Sequence, residues 1–150
     1  MDHSKVLDIG SGVGKFCLAA AYFSPSASFF GVEQRGDLVL HAEAACKELG
    51  LRNVFFMRGN FTQLDFARFD HFYFYNAFYE NLVDTDKIDD SIIYSTELYN
   101  YYNRELYKKL KGTVSGTRVV TFHSLGEEMP SCYQLVESQL DGLLKFWIKK

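Results

Sequence analysis

Val6-Leu7-Asp8-Ile9-Gly10-Ser11-Gly12-Val13-Gly14-Lys15-Phe16 is the stretch on which the reading of this chain turns. Val6, Leu7 and Ile9 form a short apolar run that stops at Gly10, the pattern of a buried strand at 5–9. Beyond the glycines, Phe16, Ala19, Ala20 and Phe23 recur at the spacing of one helical face, and Ser24-Pro25 stops the helix. The D-x-G-x-G-x-G element from Asp8 to Gly14 therefore joins a strand to a helix. Glycines there let the backbone bend sharply and let a ligand approach without meeting a Cβ. The helix that follows presents unpaired N–H groups, which favour a carboxylate or another acceptor.

Working outward, a second strand is expected at 28–33, then a helix at 37–49 with Leu38, Ala42, Ala45 and Leu49 on one stripe, closed by Gly50. Strands follow at 54–57 and 71–75, separated by an irregular segment at 60–69. After a polar loop from Asn76, a helix is read at 89–111 from the recurrence of Leu98, Tyr102, Leu106 and Leu110, ending at Gly112. A fifth strand at 118–122 precedes two more, 132–139 and 143–148, on either side of Asp141-Gly142, which signals a two-residue hairpin turn.

Alternating strands and helices call for a parallel sheet with right-handed crossovers, and the terminal hairpin adds an antiparallel strand. Ligands in such sheets lie beyond the carboxyl ends of the strands. That rule selects Gly10 to Gly14, Glu33, Asn60, Asn76 to Asn81, and His123.

Glu33 closes the second strand 21 residues after Gly12, where a carboxylate can accept hydrogen bonds from both hydroxyls of a ribose. The nicotinamide fingerprint G-x-G-x-x-G, counted from Gly10 and Gly12, would need glycine where Lys15 stands. The spacing suits a nucleoside without phosphate better than a pyrophosphate. A dinucleotide-dependent oxidoreductase is the first alternative, and a non-catalytic domain that keeps the fold as a binding module is the second.

With 150 residues, 47% of them hydrophobic, and only 2 prolines, the chain fits one globular domain spanning 1–150. Its net charge of -3 supplies no broad cationic field, so nucleic acid is not favoured as a partner. Cys17, Cys46 and Cys132 stand far apart without a C-x-x-C pair, and are read as reduced, buried thiols rather than zinc ligands or a disulfide framework. His3, His41 and His71 form no metal constellation. The longest apolar run, 16–23, is too short to span a bilayer, and a cytoplasmic location is the default expectation.

VLDIGSGVGKF and GVEQ resemble the first two motifs of the class I S-adenosylmethionine-dependent methyltransferases. The resemblance implies a Rossmann-like three-layer α/β/α sandwich, a mostly parallel seven-stranded sheet in the order 3-2-1-4-5-7-6, with an antiparallel last strand. It implies S-adenosylmethionine as cofactor and S-adenosylhomocysteine as product. By the same resemblance, Asp8, Gly10, Ser11, Gly12 and Gly14 hold the methionine part, Glu33 with Gln34 holds the ribose, and Asn60 with Phe61 meets the adenine. Domains of this type usually carry helices ahead of the first strand, so the chain is read as either a minimal form or a core without that lid.

After the fourth strand, Tyr75-Asn76-Ala77-Phe78-Tyr79 occupies the place where amino-group methyltransferases carry Asn or Asp, two prolines and an aromatic residue. Asn76 and Tyr79 match that pattern, while Ala77 and Phe78 replace both prolines. The resemblance implies that the Asn76 carbonyl orients the attacking nitrogen and that Tyr79 lines the acceptor site. The expected acceptor is a nitrogen or oxygen nucleophile on a protein or small molecule, ahead of nucleic acid. His123 is a further candidate proton acceptor at the end of the fifth strand.

Overall fold

In the computed structural model, residues 3–78, 81, 95–124, 126 and 128–150 are described. Seven strands, β1 (Lys5–Ile9), β2 (Ser28–Glu33), β3 (Val54–Arg58), β4 (His71–Tyr75), β5 (Arg118–Phe122), β6 (Tyr133–Gln139) and β7 (Leu144–Lys149), form one sheet in the order β3-β2-β1-β4-β5-β7-β6. The helices are α1 (Lys15–Phe23), α2 (Gly36–Glu48) and α3 (Thr96–Lys111). This is the Rossmann-like α/β arrangement and strand order expected from the sequence. β1 pairs with β2, and β2 with β3, in parallel, while β7 runs antiparallel to both β5 and β6. Two compact units divide the chain, Met1–Tyr73 and Phe74–Lys150.

In the first unit, α1 buries Cys17 and Ala21 against Val6, Ala27, Phe29 and Val54. This corrects the face read from the sequence, because Ala19 is exposed and Phe23 is 82% exposed. The spacing of Phe16, Ala19, Ala20 and Phe23 misled there: the small side chains of Cys17 and Ala21 face the core, whereas the half-buried Phe16 stacks on Tyr73 at 3.8 Å. A similar shift occurs in α2, whose buried residues are Val39 and Ala42, with Leu49 outside the helix and exposed. Asn53 ties these layers together by donating from Nδ2 to the Ala27 carbonyl at 2.9 Å.

Along β2, neighbouring aromatic side chains point in alternate directions. Phe29 points to α1 and meets Phe16, whereas its neighbour Phe30 meets Phe55 at 5.1 Å and Phe69 at 5.4 Å. Residues 60–69, expected to be irregular, instead form two 3-10 turns, Phe61–Gln63 and Phe66–Arg68, each started by a side-chain cap from Asn60 or Asp65. They deliver Phe66 onto Phe72, with ring centres 4.5 Å apart.

In the second unit, α3 buries Tyr99, Tyr102, Asn103, Leu106 and Leu110, largely the stripe expected. It begins at Thr96, because the Ser95 hydroxyl accepts from the Leu98 N–H and caps the first turn. The expected start near 89 lies outside the described residues. The last hairpin differs from a two-residue turn. Leu140, Asp141 and Gly142 all take positive φ, and four residues separate β6 from β7, with Gly142 N–H donating to Gln139 O at 3.2 Å.

The three cysteines are unpaired, with Cys17 buried and Cys46 and Cys132 partly so. Among the described residues no His, Cys, Asp and Glu cluster could hold a metal ion, and no helix is long and apolar enough to cross a membrane. Leu106 is 1% exposed and Leu40 is 66% exposed. Leu106→Ala is therefore expected to cost about 2–5 kcal/mol in urea unfolding, and Leu40→Ala within about 0.5 kcal/mol of zero.

Candidate functional site

The glycine turn is fastened to the end of β2 by its backbone. Gly10 and Ser11 N–H both donate to the Val32 carbonyl, at 2.9 and 3.0 Å, and Gly14 N–H donates to Ser11 O. Gly10, Gly12 and Gly14 lie at φ of 75°, 56° and 80°, a region that L side chains rarely adopt. The turn is thus a closed loop of hydrogen bonds before any ligand is considered.

The three positions differ in what surrounds them. A Cβ on Gly12 would meet nothing within 4 Å, so the outer side of the turn is open there. A Cβ on Gly14 would fall 2.4 Å from Phe56 Cζ, so glycine at that position serves helix-to-strand packing. Among the described residues the buried Ser11 hydroxyl has no hydrogen-bond partner, and it faces Gly31, where an added Cβ would come within 2.6 Å of Ser11 Oγ. Gly31 escaped the sequence reading, although a glycine within an otherwise apolar strand signals close backbone approach.

Glu33 is 5% exposed and sits at the centre of the site. Its Oε2 accepts from Gly12 N–H at 3.1 Å, while Oε1 accepts from Arg35 N–H at 3.0 Å and pairs with Arg35 Nη1 at 3.2 Å. Arg35, itself 7% exposed, caps the start of α2 and was also missed. Its signal was its place two residues beyond the strand-ending acid. A carboxylate taken out of water needs such a partner, since an isolated buried charge costs several kcal/mol. Gln34 is half-buried beside it.

Asp8 lies beneath the turn, 3% exposed. Burial pushes its carboxyl up to about 7; a hydrogen bond from Cys17 Sγ at 3.7 Å opposes the shift, and the Glu33 charge adds to it. Burial, followed by the Asp8 charge, pushes the Cys17 thiol upward as well. Asn60 accepts from Thr62 N–H at 3.0 Å, and Phe61 is 5% exposed, so both have roles in the 3-10 turn. Asp8, Gly10 to Gly14, and Glu33 with Gln34 are brought together at the ends of β1 and β2; Asn60 and Phe61 follow β3, just beyond which Gly59 N–H donates to Glu33 O at 2.9 Å.

In the second unit, Asn76 follows β4 at φ 44° and His123 follows β5 at φ 54°. The His123 ring is exposed and rests on Phe122 at 4.5 Å, while Tyr75 stacks on Phe122 at 5.0 Å. Tyr79 lies outside the described residues.

A family model described as a methyltransferase domain matches residues 1–140. The chain belongs to that family. It is of the class I S-adenosylmethionine-dependent type, and the cofactor that goes with this domain is S-adenosylmethionine. Among solved structures, an RNA methyltransferase from Salinibacter ruber in complex with S-adenosyl-L-homocysteine superposes with a TM-score of 0.63 at 22% identity, covering 97% of this chain and 80% of that one. TrmN from Thermus thermophilus gives 0.65 at 16% identity, covering 99% and 45%. A curated relative, the tRNA (guanine-N(7)-)-methyltransferase of Synechococcus sp. strain JA-3-3Ab, is 52% identical over 54 residues, 36% of this chain and 23% of that protein. The segment shared with the curated relatives spans about a quarter of their length.

Two outcomes follow from this geometry. Gly31→Ala is expected to cost about 1–3 kcal/mol in urea unfolding, the usual scale of overpacking. Because the folded Asp8 carboxyl titrates near 7 rather than 3.8, the native state holds a proton that the unfolded chain releases. Stability therefore falls as pH rises from about 4 to about 7, and Asp8→Asn should flatten that slope; an equally steep slope in the variant would contradict the assignment.

Proposed function

We propose that this domain binds S-adenosylmethionine at the glycine turn and Glu33, and transfers its methyl group to a nitrogen nucleophile. The observation that carries the reading is the Glu33 carboxylate hydrogen-bonded to Gly12 N–H, beside a glycine whose outer face is open. A nucleoside needs both features: an acceptor for ribose hydroxyls and a backbone without side chains along which to lie.

The residues fit the cofactor in distinct ways. Gly12 offers open backbone, Gly10 is exposed, and the start of α1 offers N–H groups to the amino-acid carboxylate. Oε2 of Glu33 accepts one hydrogen bond here and has capacity for another from a ribose hydroxyl. Arg35 holds the carboxylate in place through its backbone N–H and Nη1. Asp8, Ser11 and Gly14 shape and pack the turn from beneath, while Gln34, Asn60 and Phe61 flank the place assigned to ribose and adenine. These cofactor residues all lie in one unit, Met1–Tyr73.

Bound S-adenosylmethionine supplies a methyl group already activated by its sulfonium centre, so alignment and exclusion of water matter more than strong acid-base assistance. On the acceptor side, the Asn76 carbonyl is assigned to accept a hydrogen bond from the incoming nitrogen, with Tyr79 assigned to the wall of that site. The curated relatives named as tRNA (guanine-N(7)-)-methyltransferases favour a second reading, in which the nitrogen belongs to RNA. That reading runs against the expectation drawn from the net charge. The single domain over 1–150 is part of the same proposal.

Glu33→Gln keeps the shape of the side chain but removes its charge and one acceptor oxygen. Calorimetric titration with S-adenosylhomocysteine is expected to show affinity lower by about 1.5–3 kcal/mol, roughly 10- to 150-fold, with NAD binding neither protein. Unchanged affinity in a folded variant would remove Glu33 from the site. Incubation with methyl-labelled S-adenosylmethionine and separated tRNA, protein and small-molecule pools then assigns the acceptor.

A further inference from the structure

The two oxygens of the Glu33 carboxylate stand in different surroundings. Oε1 accepts from Arg35 N–H at 3.0 Å and from Arg35 Nη1 at 3.2 Å, whereas among the described residues Oε2 accepts from Gly12 N–H alone, at 3.1 Å. A carboxylate offers about four acceptor positions, two on each oxygen. Oε1 is therefore filled, and the position left over is on Oε2.

Both donors to Oε1 are anchored independently of any ligand. Arg35 is the residue that precedes α2, and its carbonyl accepts from Val39 N–H at 3.2 Å, so its backbone belongs to the helix start. Its side chain is 6% exposed, and a guanidinium so far from water loses an acceptor at a cost that solvent does not offset. Oε2 instead neighbours Gly12, where the turn is open on its outer side. The filled oxygen thus faces a buried cation, and the unfilled one adjoins the stretch of backbone along which a nucleoside can lie.

We infer, on the reading of Glu33 as the ribose contact, that Oε2 takes one ribose hydroxyl and that Arg35, by filling Oε1, denies the carboxylate to the other. Arg35 is then a positioning residue that sets which ligands the acid can read. This narrows the expectation that an acid at the end of the second strand accepts from both hydroxyls. Reaching both would oblige Oε1 to release Nη1 and leave the buried guanidinium short of an acceptor. One hydroxyl donating to Oε2 adds a charge-assisted hydrogen bond and breaks none. An adenosyl compound with a single ribose hydroxyl, the one that meets Oε2, satisfies this carboxylate fully.

The test is calorimetric titration of the full chain with S-adenosylhomocysteine and its 2′-deoxy and 3′-deoxy analogues, on the wild type, Glu33→Gln and Arg35→Met. Deleting one hydroxyl is expected to weaken binding to the wild type about ten-fold or more, the scale of a hydrogen bond to a charged group, and to cost much less in Glu33→Gln. Deleting the other should cost the same in both proteins within about two-fold, the limit of additivity for uncoupled groups. In Arg35→Met, where Oε1 keeps its backbone donor alone, that second deletion should become costly too. A general loss of stability would weaken all three ligands alike and leave their ratios unmoved. Coupling of both hydroxyls to Glu33 in the wild type would overturn the inference while keeping Glu33 in the site, and coupling of neither would remove Glu33 from the ribose altogether. Wild-type ratios in Arg35→Met would overturn the role given to Arg35. If a variant fails to fold, the wild-type ratios decide: one costly deletion and one neutral deletion support the inference, and two equal penalties overturn it.

Discussion

The hydrogen bond from Gly12 N–H to the Glu33 carboxylate joins the two features on which the first unit is organised, the glycine turn and the end of the second strand. Neither would be stable in this form alone. The turn takes three positive-φ residues in five positions, and the carboxylate is almost wholly withdrawn from water. Each supplies what the other lacks: the acid gives an acceptor to a backbone donor, and the turn, with Arg35, gives donors to a buried charge. A buried ion pair is a weak source of net stability but a strong penalty when broken. The arrangement therefore fixes the position of Glu33 more than it strengthens the fold.

Packing around this bridge is tight where the chain must be held and open where a ligand can enter. Gly14 and Gly31 are glycines because Phe56 and Ser11 occupy the space a methyl would need. Gly12 is glycine for its backbone angle alone, and the space beside it is empty of protein. Asp8 and Cys17 fill the layer beneath, where burial raises both acids. Within one motif, then, the sequence spacing conceals two kinds of glycine.

Much of the sheet was legible because strand signals are local. Gly10, Gly50 and Gly112 mark where elements stop, and β1 to β5 fall within a residue of their expected bounds. The inward faces of α1 and α2 were not legible, since which residues turn toward the strands is settled by tertiary packing: Cys17 is buried and Phe16 only partly so. The hairpin turn was misjudged because Leu140 joins Asp141 and Gly142 at positive φ, a conformation no apolar side chain advertises. At the site, Glu33 could be read from its spacing to Gly12. Arg35 and Gly31 left only weak local signals, a basic residue two places after the strand-ending acid and a glycine inside an apolar strand, and their importance comes from burial and close packing.

A crystal structure of the protein with S-adenosylhomocysteine tests the central claim most directly. The account predicts a ribose hydroxyl within hydrogen-bond distance of a Glu33 oxygen, with the amino-acid carboxylate facing the backbone of Gly10 to Gly14. A ligand bound elsewhere, or a ribose that leaves Glu33 engaged only by Gly12 and Arg35, would contradict it.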